Sequence, residues 1–292
     1  MRVEVHMVNA FVDGDAGGNP AGVVLDANAL TEAQMQEVAR QVAVSETAFV
    51  SASETATIKL DFFTPNRRIA HCGHATIGTF CLLRELGRIG DGRHSKETVD
   101  GNIDIVVEGA MTFMRQRAPT YTIVSTSTEL GARVLASLGL TELRLMSGVD
   151  PFVVNTGNSF LLVAVSDEAL VAAIEPDLET IHTISDELDL IGFYVFSKTT
   201  RIEGRHAGAR MFAPRYGIPE ESATGMAAGP LGCFLHDYLD VREPTLHIEQ
   251  GWLMSPPSPS VIKVTLNVSD GKISGLMAGG GAKAASILEI EI

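Results

Sequence analysis

Apolar and polar residues alternate with a period of two in many short segments of the chain, and this pattern is typical of half-buried β-strands. The first residues, MRVEVHMVNAF, already alternate through Val3, Val5 and Met7 and predict a strand from the start of the chain. Further strands are predicted at TIKLDFF (57–63), NIDIVVEG (102–109), SFLLVAV (159–165), GFYVFSK (192–198), TLHIE (245–249) and VIKVTLNV (261–268).

Two kinds of helix are expected between these strands. Short surface helices are predicted at 31–42, 128–138, 167–175 and 177–188, and Thr31 with Gln34 forms a capping-box pattern at the first of them. The helices expected after Gly73 and Gly225 differ, because small residues are followed by Leu or Phe and no polar stripe is present. Such a helix is buried on nearly all sides.

These two apolar helices belong to an internal repeat. FFTPNRRIAHCGHATIGTFCLLREL (62–86) and MFAPRYGIPEESATGMAAGPLGCFLHDYL (211–239) share a strand ending in Phe-x-Pro, a loop, a glycine and an apolar helix. The repeat predicts an α+β fold of two pseudo-symmetric lobes, each with strands wrapped around a central buried helix. We expect an N-terminal lobe at 1–122, to which a final strand near 283–292 returns, and a C-terminal lobe at 123–282.

Composition excludes several classes of function. The 292 residues are 45% hydrophobic, so two domain cores are possible, and no apolar run is long enough for a membrane span. Cys72, Cys81 and Cys233 form no CxxC pair, which argues against a disulfide framework and against structural zinc. A net charge of −14 without basic runs disfavours nucleic acid. We expect a cytoplasmic protein with no glycine-rich nucleotide loop.

The segment RIAHCGHATIG (68–78) concentrates chemically active residues at the start of a buried helix. Three interpretations are open. His71, Cys72 and His74 could bind a metal, although adjacent side chains diverge and zinc would need further ligands. Cys72 could be a reactive thiolate, favoured by the helix dipole. The backbone N–H groups near Gly73, and near its counterpart Gly225, could bind a carboxylate or oxyanion.

A site of this kind also needs a base, and Glu46 is the candidate. It lies between the helix at 31–42 and the following segment, in the sequence VSETAFV. A solvated loop carboxylate is the alternative interpretation of this residue.

Five separated motifs resemble a known family. GNPAGVVL (18–25), SETAFV (45–50), FFTPNRRIAHCGHATIG (62–78), ARMFAPRYGIPEESATGMAAG (209–229) and EQG (249–251) occur in the order found in PhzF-like isomerases of phenazine biosynthesis. The resemblance covers nearly the whole chain. It implies the diaminopimelate epimerase-like fold, whose two lobes agree with the internal repeat.

The resemblance also implies an activity. PhzF-like enzymes are cofactor-free isomerases in which one glutamate moves a hydrogen between carbons of trans-2,3-dihydro-3-hydroxyanthranilate, and they act as homodimers. The glutamate of the family's S-E-T motif falls on Glu46, the histidine of its G-H motif on His74, and its second acidic residue on Glu221. These three are the expected catalytic residues.

Substrate binding is expected from four further positions. The asparagine of the family's G-N-P motif falls on Asn19, and the two helix starts contribute Gly73, Gly225 and Met226. The expected ligand is a small carboxylate, and no metal, cofactor, nucleic acid or membrane is expected as a partner.

The chain departs from the family pattern at four places. The family's E-D-P-A-T-G-S is Glu220 to Met226 here, with Glu221 for aspartate, Ser222 for proline and Met226 for serine, and Ser255-Pro256 replaces an expected Gly-Arg. These changes bear on the substrate more than on the fold.

Two alternative functions use the same fold. HCGHATIG also looks like the first-cysteine motif of proline racemases, in which Cys72 would be one of two bases, but Thr224 stands where a second cysteine is required. A binding module for carboxylates, without catalysis, is the other alternative.

Overall fold

The computed structural model describes all residues from Met1 to Ile292. The strands are β1 (Arg2–Ala10), β2 (Asn19–Val24), β3 (Thr47–Ser51), β4 (Ile58–Phe63), β5 (Arg68–Ile69), β6 (Gly92–Thr98), β7 (Gly101–Glu108), β8 (Met111–Arg117), β9 (Thr120–Ile123), β10 (Phe152–Asn155), β11 (Ser159–Ala164), β12 (Gly192–Ser197), β13 (Ala207–Ala213), β14 (Ile218–Glu221), β15 (Thr245–Gln250), β16 (Ser260–Ser269) and β17 (Lys272–Glu291). The α-helices are α1 (Glu32–Val42), α2 (Gly73–Glu85), α3 (Glu129–Ser137), α4 (Glu168–Ala172), α5 (Leu178–Glu187) and α6 (Gly225–Leu239).

The strands and helices expected from the hydrophobic pattern are all present, with ends that differ by a few residues. The capping box at α1 is confirmed, because the Thr31 side chain accepts from the Gln34 backbone while the Gln34 side chain accepts from the Thr31 backbone. No helix of the structure combines the length and the apolar character that a bilayer crossing requires.

The chain divides into two compact units. The first unit contains Met1–Arg115 and Gly279–Ile292, and the second contains Gln116–Ala278. The sequence prediction placed these divisions at 122/123 and 282/283. The last strand, β17, pairs antiparallel with β1 from Arg2↔Glu291 to Ala10↔Ala282, so the C-terminal segment lies in the first unit with the N-terminal strand.

The first unit is a closed ring of strands around α2. Neighbouring strands pair in the order β1, β2, β3, β4, β6, β7, β8 and β17, and β17 returns to β1. Every residue of α2 from Gly73 to Leu83 is buried. The expected buried helix is therefore confirmed, and its small residues allow the surrounding strands to approach.

The second unit repeats the same plan around α6. The pairs β2–β3, β3–β4, β4–β6 and β6–β7 are parallel, antiparallel, parallel and antiparallel. The pairs β11–β12, β12–β13, β13–β15 and β15–β16 follow the same sequence. The α+β fold with an internal duplication is confirmed by this topology.

Close packing explains the glycines of α6. A Cβ atom at Gly232 would lie 2.7 Å from Val264 Cγ1 on β16, and one at Gly229 would lie 2.3 Å from the Gln116 amide oxygen. Such distances are shorter than real side chains tolerate. The helix can therefore sit against its strands only because these positions lack side chains.

Candidate active site

The start of α2 carries the first group of candidate residues. Cys72 is the N-cap residue in extended conformation, and its side chain makes no capping hydrogen bond. Gly73 follows as the first helical residue and is buried. The backbone N–H groups of a first helical turn have no intrahelical partners and carry partial positive charge. This end of α2 therefore has the chemistry needed to bind an anion.

Glu46 and His74 form a buried acid–base pair. Glu46 Oε2 lies 3.4 Å from His74 Nε2, and the two residues are 6% and 4% exposed. Glu46 directly precedes β3, and its backbone oxygen accepts a hydrogen bond of 3.1 Å from Gly22 on β2. Because parallel pairing of β2 with β3 fixes the backbone, the carboxylate is held beside the first turn of α2.

Cys72 lies on the other side of the same imidazole. Its Sγ is 3.5 Å from His74 Nδ1. Burial raises the pKa of the Cys72 thiol, with the charge of Glu46 acting in the same direction against the opposing effect of His74. The protonated thiol is therefore favoured at neutral pH, which is unsuited to a base.

The donor atoms of Glu46, Cys72 and His74 all lie within 4.8 Å of one another, so these three residues are the set that could hold a metal. His71 is not in this set, so the structure does not assemble the His71, Cys72 and His74 trio considered from the sequence. Metal binding requires a deprotonated thiol, and burial at Cys72 opposes this.

Lys96 was missed by the sequence analysis. It lies on β6, is fully buried, and donates to Thr76 Oγ1 at 2.7 Å. Its Nζ is also 2.8 Å from His71 Nδ1. Burial lowers the pKa of Lys96 to about 7, and burial together with Lys96 holds the pKa of His71 well below its usual value. The segment GRHSKET gives no signal for an inward-facing residue, because its apolar alternation is absent.

Asn19, expected to bind substrate, also lies in the first unit. It is the first residue of β2, is 3% exposed, and pairs with Ala10 at the end of β1. The structure thus places Asn19, Glu46, Gly73 and His74 in one unit.

The start of α6 carries the other candidate residues. Glu221 ends β14, is buried, and its carboxylate accepts a short hydrogen bond from Thr224 Oγ1. Gln250 supports this loop, because its amide donates to the Glu221 backbone oxygen at 2.6 Å and accepts from the Thr224 backbone at 3.1 Å. Tyr194 donates to the same amide oxygen at 2.9 Å. Gln250 of the EQG motif therefore holds the loop that precedes α6.

Gly225 and Met226 form the first turn of α6. Gln116 donates to the Gly225 backbone oxygen at 2.9 Å, and Asn158 donates to the Met226 sulfur at 3.7 Å. Glu221, Gly225 and Met226 are thus brought together in the second unit.

Comparison with known proteins identifies the family. The model of the phenazine biosynthesis-like protein family (PhzC-PhzF) matches residues 8–286. The chain belongs to this family. As a phenazine biosynthesis-like protein, it is 30% identical over 288 residues to an uncharacterized isomerase, YddE, of Escherichia coli O157:H7, with 97% of this chain and 96% of the relative covered.

Two further similar proteins provide evidence on the activity and on the fold. The trans-2,3-dihydro-3-hydroxyanthranilate isomerase of Pseudomonas chlororaphis is 30% identical over 260 residues, with 86% and 87% of the two chains covered. The crystal structure of a Bacillus anthracis phenazine biosynthesis protein of the PhzF family superposes with a TM-score of 0.89, 28% identity and full coverage of both chains. The resemblance inferred from five motifs is confirmed, and the phenazine biosynthesis-like protein described here is an isomerase.

Proposed function

We propose that this phenazine biosynthesis-like protein moves a hydrogen within a small cyclic carboxylate without a cofactor, and that Glu46 is its single acid/base. The observation that carries the proposal is the buried contact between Glu46 and His74 at the start of α2. A positioned carboxylate with restricted access to water is suited to proton transfer to and from carbon.

The proposed chemistry has two proton transfers. The Glu46 carboxylate takes a proton from one carbon of the unsaturated ring. The resulting carboxyl group, which exchanges its proton with solvent between the two transfers, donates a proton to another carbon on the same face. His74 Nε2 lies 3.4 Å from Glu46 Oε2, and we propose that His74 orients this carboxylate during the reaction. Backbone N–H groups at the start of α2 bind the substrate carboxylate while negative charge develops on the ring. No step requires a metal.

The substrate is proposed from one relative. The Pseudomonas chlororaphis relative is named for trans-2,3-dihydro-3-hydroxyanthranilate, and we propose this acid or a close analogue. The substitutions at Glu221, Ser222 and Met226 alter the start of α6 and favour an analogue over the phenazine precursor. Glu221 is proposed to act with Glu46 and His74 in catalysis, Asn19, Gly225 and Met226 are proposed to bind the substrate, and a homodimer is the proposed assembly.

Two observations disfavour a two-cysteine racemase. Burial raises the pKa of the Cys72 thiol. The N-cap residue of α6, which corresponds to Cys72, is Thr224. Without a second thiol, the exchange of protons on opposite faces of one carbon has no second base.

Deuterium incorporation tests the proposed function. The protein is incubated in heavy water with the phenazine precursor and a panel of hydroxy- and amino-substituted cyclic diene acids, and the acids are analysed by NMR. We expect isomerisation with deuterium at the receiving carbon for at least one acid, and none with Glu46→Gln. Binding of an acid without isomerisation would support the carboxylate-binding module instead, and turnover by Glu46→Gln would remove Glu46 from the mechanism.

A further inference from the structure

Lys96 is a fully buried lysine without a carboxylate partner. Its relative exposure is 0%, and no ion pair in the structure includes it. Its Nζ instead contacts His71 Nδ1, Thr76 Oγ1 and the face of Phe62, the last at 4.9 Å from the ring centroid. Lysine is almost never fully buried unless it is paired.

Such a residue lowers the stability of the fold. Transfer of an ammonium group from water into a protein interior is unfavourable, and the contacts with two neutral groups and one ring compensate only in part. An apolar side chain of similar length would fill the same space without this cost. Departures from optimal packing of this kind concentrate at functional sites.

The contacts of Lys96 converge on the turn that precedes α2. Thr76 accepts from Lys96 and donates through the same hydroxyl to the Cys72 backbone oxygen at 2.6 Å. On the other side, Lys96 in its ammonium form has no lone pair, so with this form His71 accepts at Nδ1 and carries its proton on Nε2. Lys96 therefore holds the residues on both sides of Cys72.

We propose that Lys96 is a positioning residue for the Glu46–His74 pair. Through Thr76 and His71 it fixes the backbone of Cys72 and Gly73, and this backbone determines where the His74 ring lies relative to Glu46. The proposal deepens the proposed function and rests on it for its kinetic part. Lys96 itself does not need to contact the substrate.

The first test uses the substrate-free protein, so it is independent of the proposed function. Lys96→Met is compared with the wild type by ¹⁵N NMR of labelled histidines and by thermal unfolding. We expect the fixed His71 tautomer to be lost, the His74 signals to shift, and the melting temperature to stay equal or rise. Unchanged histidine signals, or a lowered melting temperature, would overturn the proposal and make Lys96 a structural residue.

The second test uses turnover of whichever acid the wild type isomerises. A misplaced catalytic group reduces the rate of the chemical step, so we expect Lys96→Met to lower kcat by about 10- to 100-fold while KM changes by less than about threefold. Thr76→Val, which leaves Lys96 in place, should give a smaller loss of kcat, and Thr76→Ser should restore it. If Lys96→Met does not fold, this pair decides: Thr76→Val with wild-type kcat would refute the positioning role.

Discussion

The starts of α2 and α6 share a backbone plan and differ in their side chains. At α2, the N-cap residue Cys72 is followed by Gly73 and His74, and Glu46 precedes the matching strand β3. At α6, Thr224 is followed by Gly225 and Met226, and Ile191 precedes β12. The histidine and the glutamate thus have no titratable counterparts. We infer that duplication supplied two anion-binding helix ends, while proton transfer was built at one of them.

The residues behind the two helix starts also differ. In each unit the strand after the central helix sends a buried polar side chain back to the preceding loop, Lys96 from β6 and Gln250 from β15. Gln250 is neutral and bonds to Glu221, Thr224 and Tyr194. Lys96 is an amine with a pKa of about 7 whose two polar contacts, His71 and Thr76, are neutral. The side chain that supports the start of α6 therefore has matched hydrogen-bond partners, whereas the side chain that supports the start of α2 lowers the stability of the fold.

The strongest test of this comparison removes the carboxylate that only the first unit has. Glu46→Gln should keep the fold and lower kcat by about 10² to 10⁴, because amides cannot exchange a proton with carbon at neutral pH. Steady-state kinetics and circular dichroism measure the two effects, with Glu54→Gln, an exposed glutamate of the same unit, as the matched control. Activity within a few-fold of the control would break the assignment.

The next largest effect is expected at the support of α6. Gln250→Ala should reduce the free energy of unfolding by about 3 kcal/mol, because the Tyr194 hydroxyl and the Thr224 N–H would lose their buried acceptor. Urea denaturation measures the loss, and Gln41→Ala on the exposed face of α1 provides the control. Equal effects of both substitutions would show that Gln250 does not support the loop.

The support of α2 predicts an unusual pH dependence of stability. The pKa of Lys96 is lowered from 10.5 to about 7 by burial, against the opposing charge of Asp100, and the neutral His71 ring and the protonated Cys72 thiol lie near the same amine. Between pH 7 and 9 the unfolded chain keeps a proton that the folded protein loses, so the Lys96 contribution to stability increases with pH. Its slope is at most about 1.4 kcal/mol per pH unit.

Lys96→Met should remove this slope. Urea denaturation of both proteins at several pH values between 7 and 9 measures it. Burial raises the pKa of all three cysteines in the folded protein, so their ionisation in the unfolded chain opposes the slope towards pH 9, and this effect cancels in the difference between wild type and variant. A wild type and a variant with parallel pH profiles would contradict an amine that titrates near neutrality.

A smaller effect is expected at the N-cap residue that distinguishes the two helices. Cys72→Ala should leave kcat within a few-fold of the wild type and reduce stability by about 1 kcal/mol, because the protonated thiol packs beside His74 and makes one weak hydrogen bond with its Nδ1. Cys81→Ala, a buried cysteine later in the same helix, is the control. Inactive Cys72→Ala together with active Glu46→Gln would favour the racemase mechanism.

The smallest effect is expected from metal removal. Exhaustive chelation and dialysis should leave turnover unchanged, because the proposed chemistry uses only side chains of the protein and backbone N–H groups. Metal analysis of the purified protein accompanies the activity assay. Loss of activity that one divalent ion restores would make Glu46, Cys72 and His74 a metal site.

Many strands and the central helices could be predicted from the sequence, because the positions of apolar residues indicate which faces of an element are buried. β4, β11 and β12 alternate or are continuously apolar, and α2 and α6 lack a polar stripe. β6 was not predicted, because its fully buried residues are Lys96 and Thr98. A pattern of hydrophobicity cannot detect a strand that buries polar side chains.

The sequence motifs predicted which residues form the candidate site, but they did not predict which of these residues contact one another. SETAFV and HCGHATIG identified Glu46 and His74 through the family resemblance, whereas the 3.4 Å between them depends on pairing of β2 with β3. Lys96 belongs to no recognised motif, and it lies on a strand 25 residues after His71 in sequence. Its importance becomes visible only through burial and hydrogen bonds.

The return of β17 to β1 has a consequence for biosynthesis on the ribosome. The first unit cannot close its ring until residues 279–292 have left the exit tunnel, whereas the second unit is continuous in sequence. Until then the nascent first unit exposes unpaired edges on β1 and β8 and part of its apolar interior, as chains with very distant pairings do. A truncated translation product that ends before β17 would therefore be a substrate for chaperones and proteases, even though it contains Glu46, His74 and all of α2.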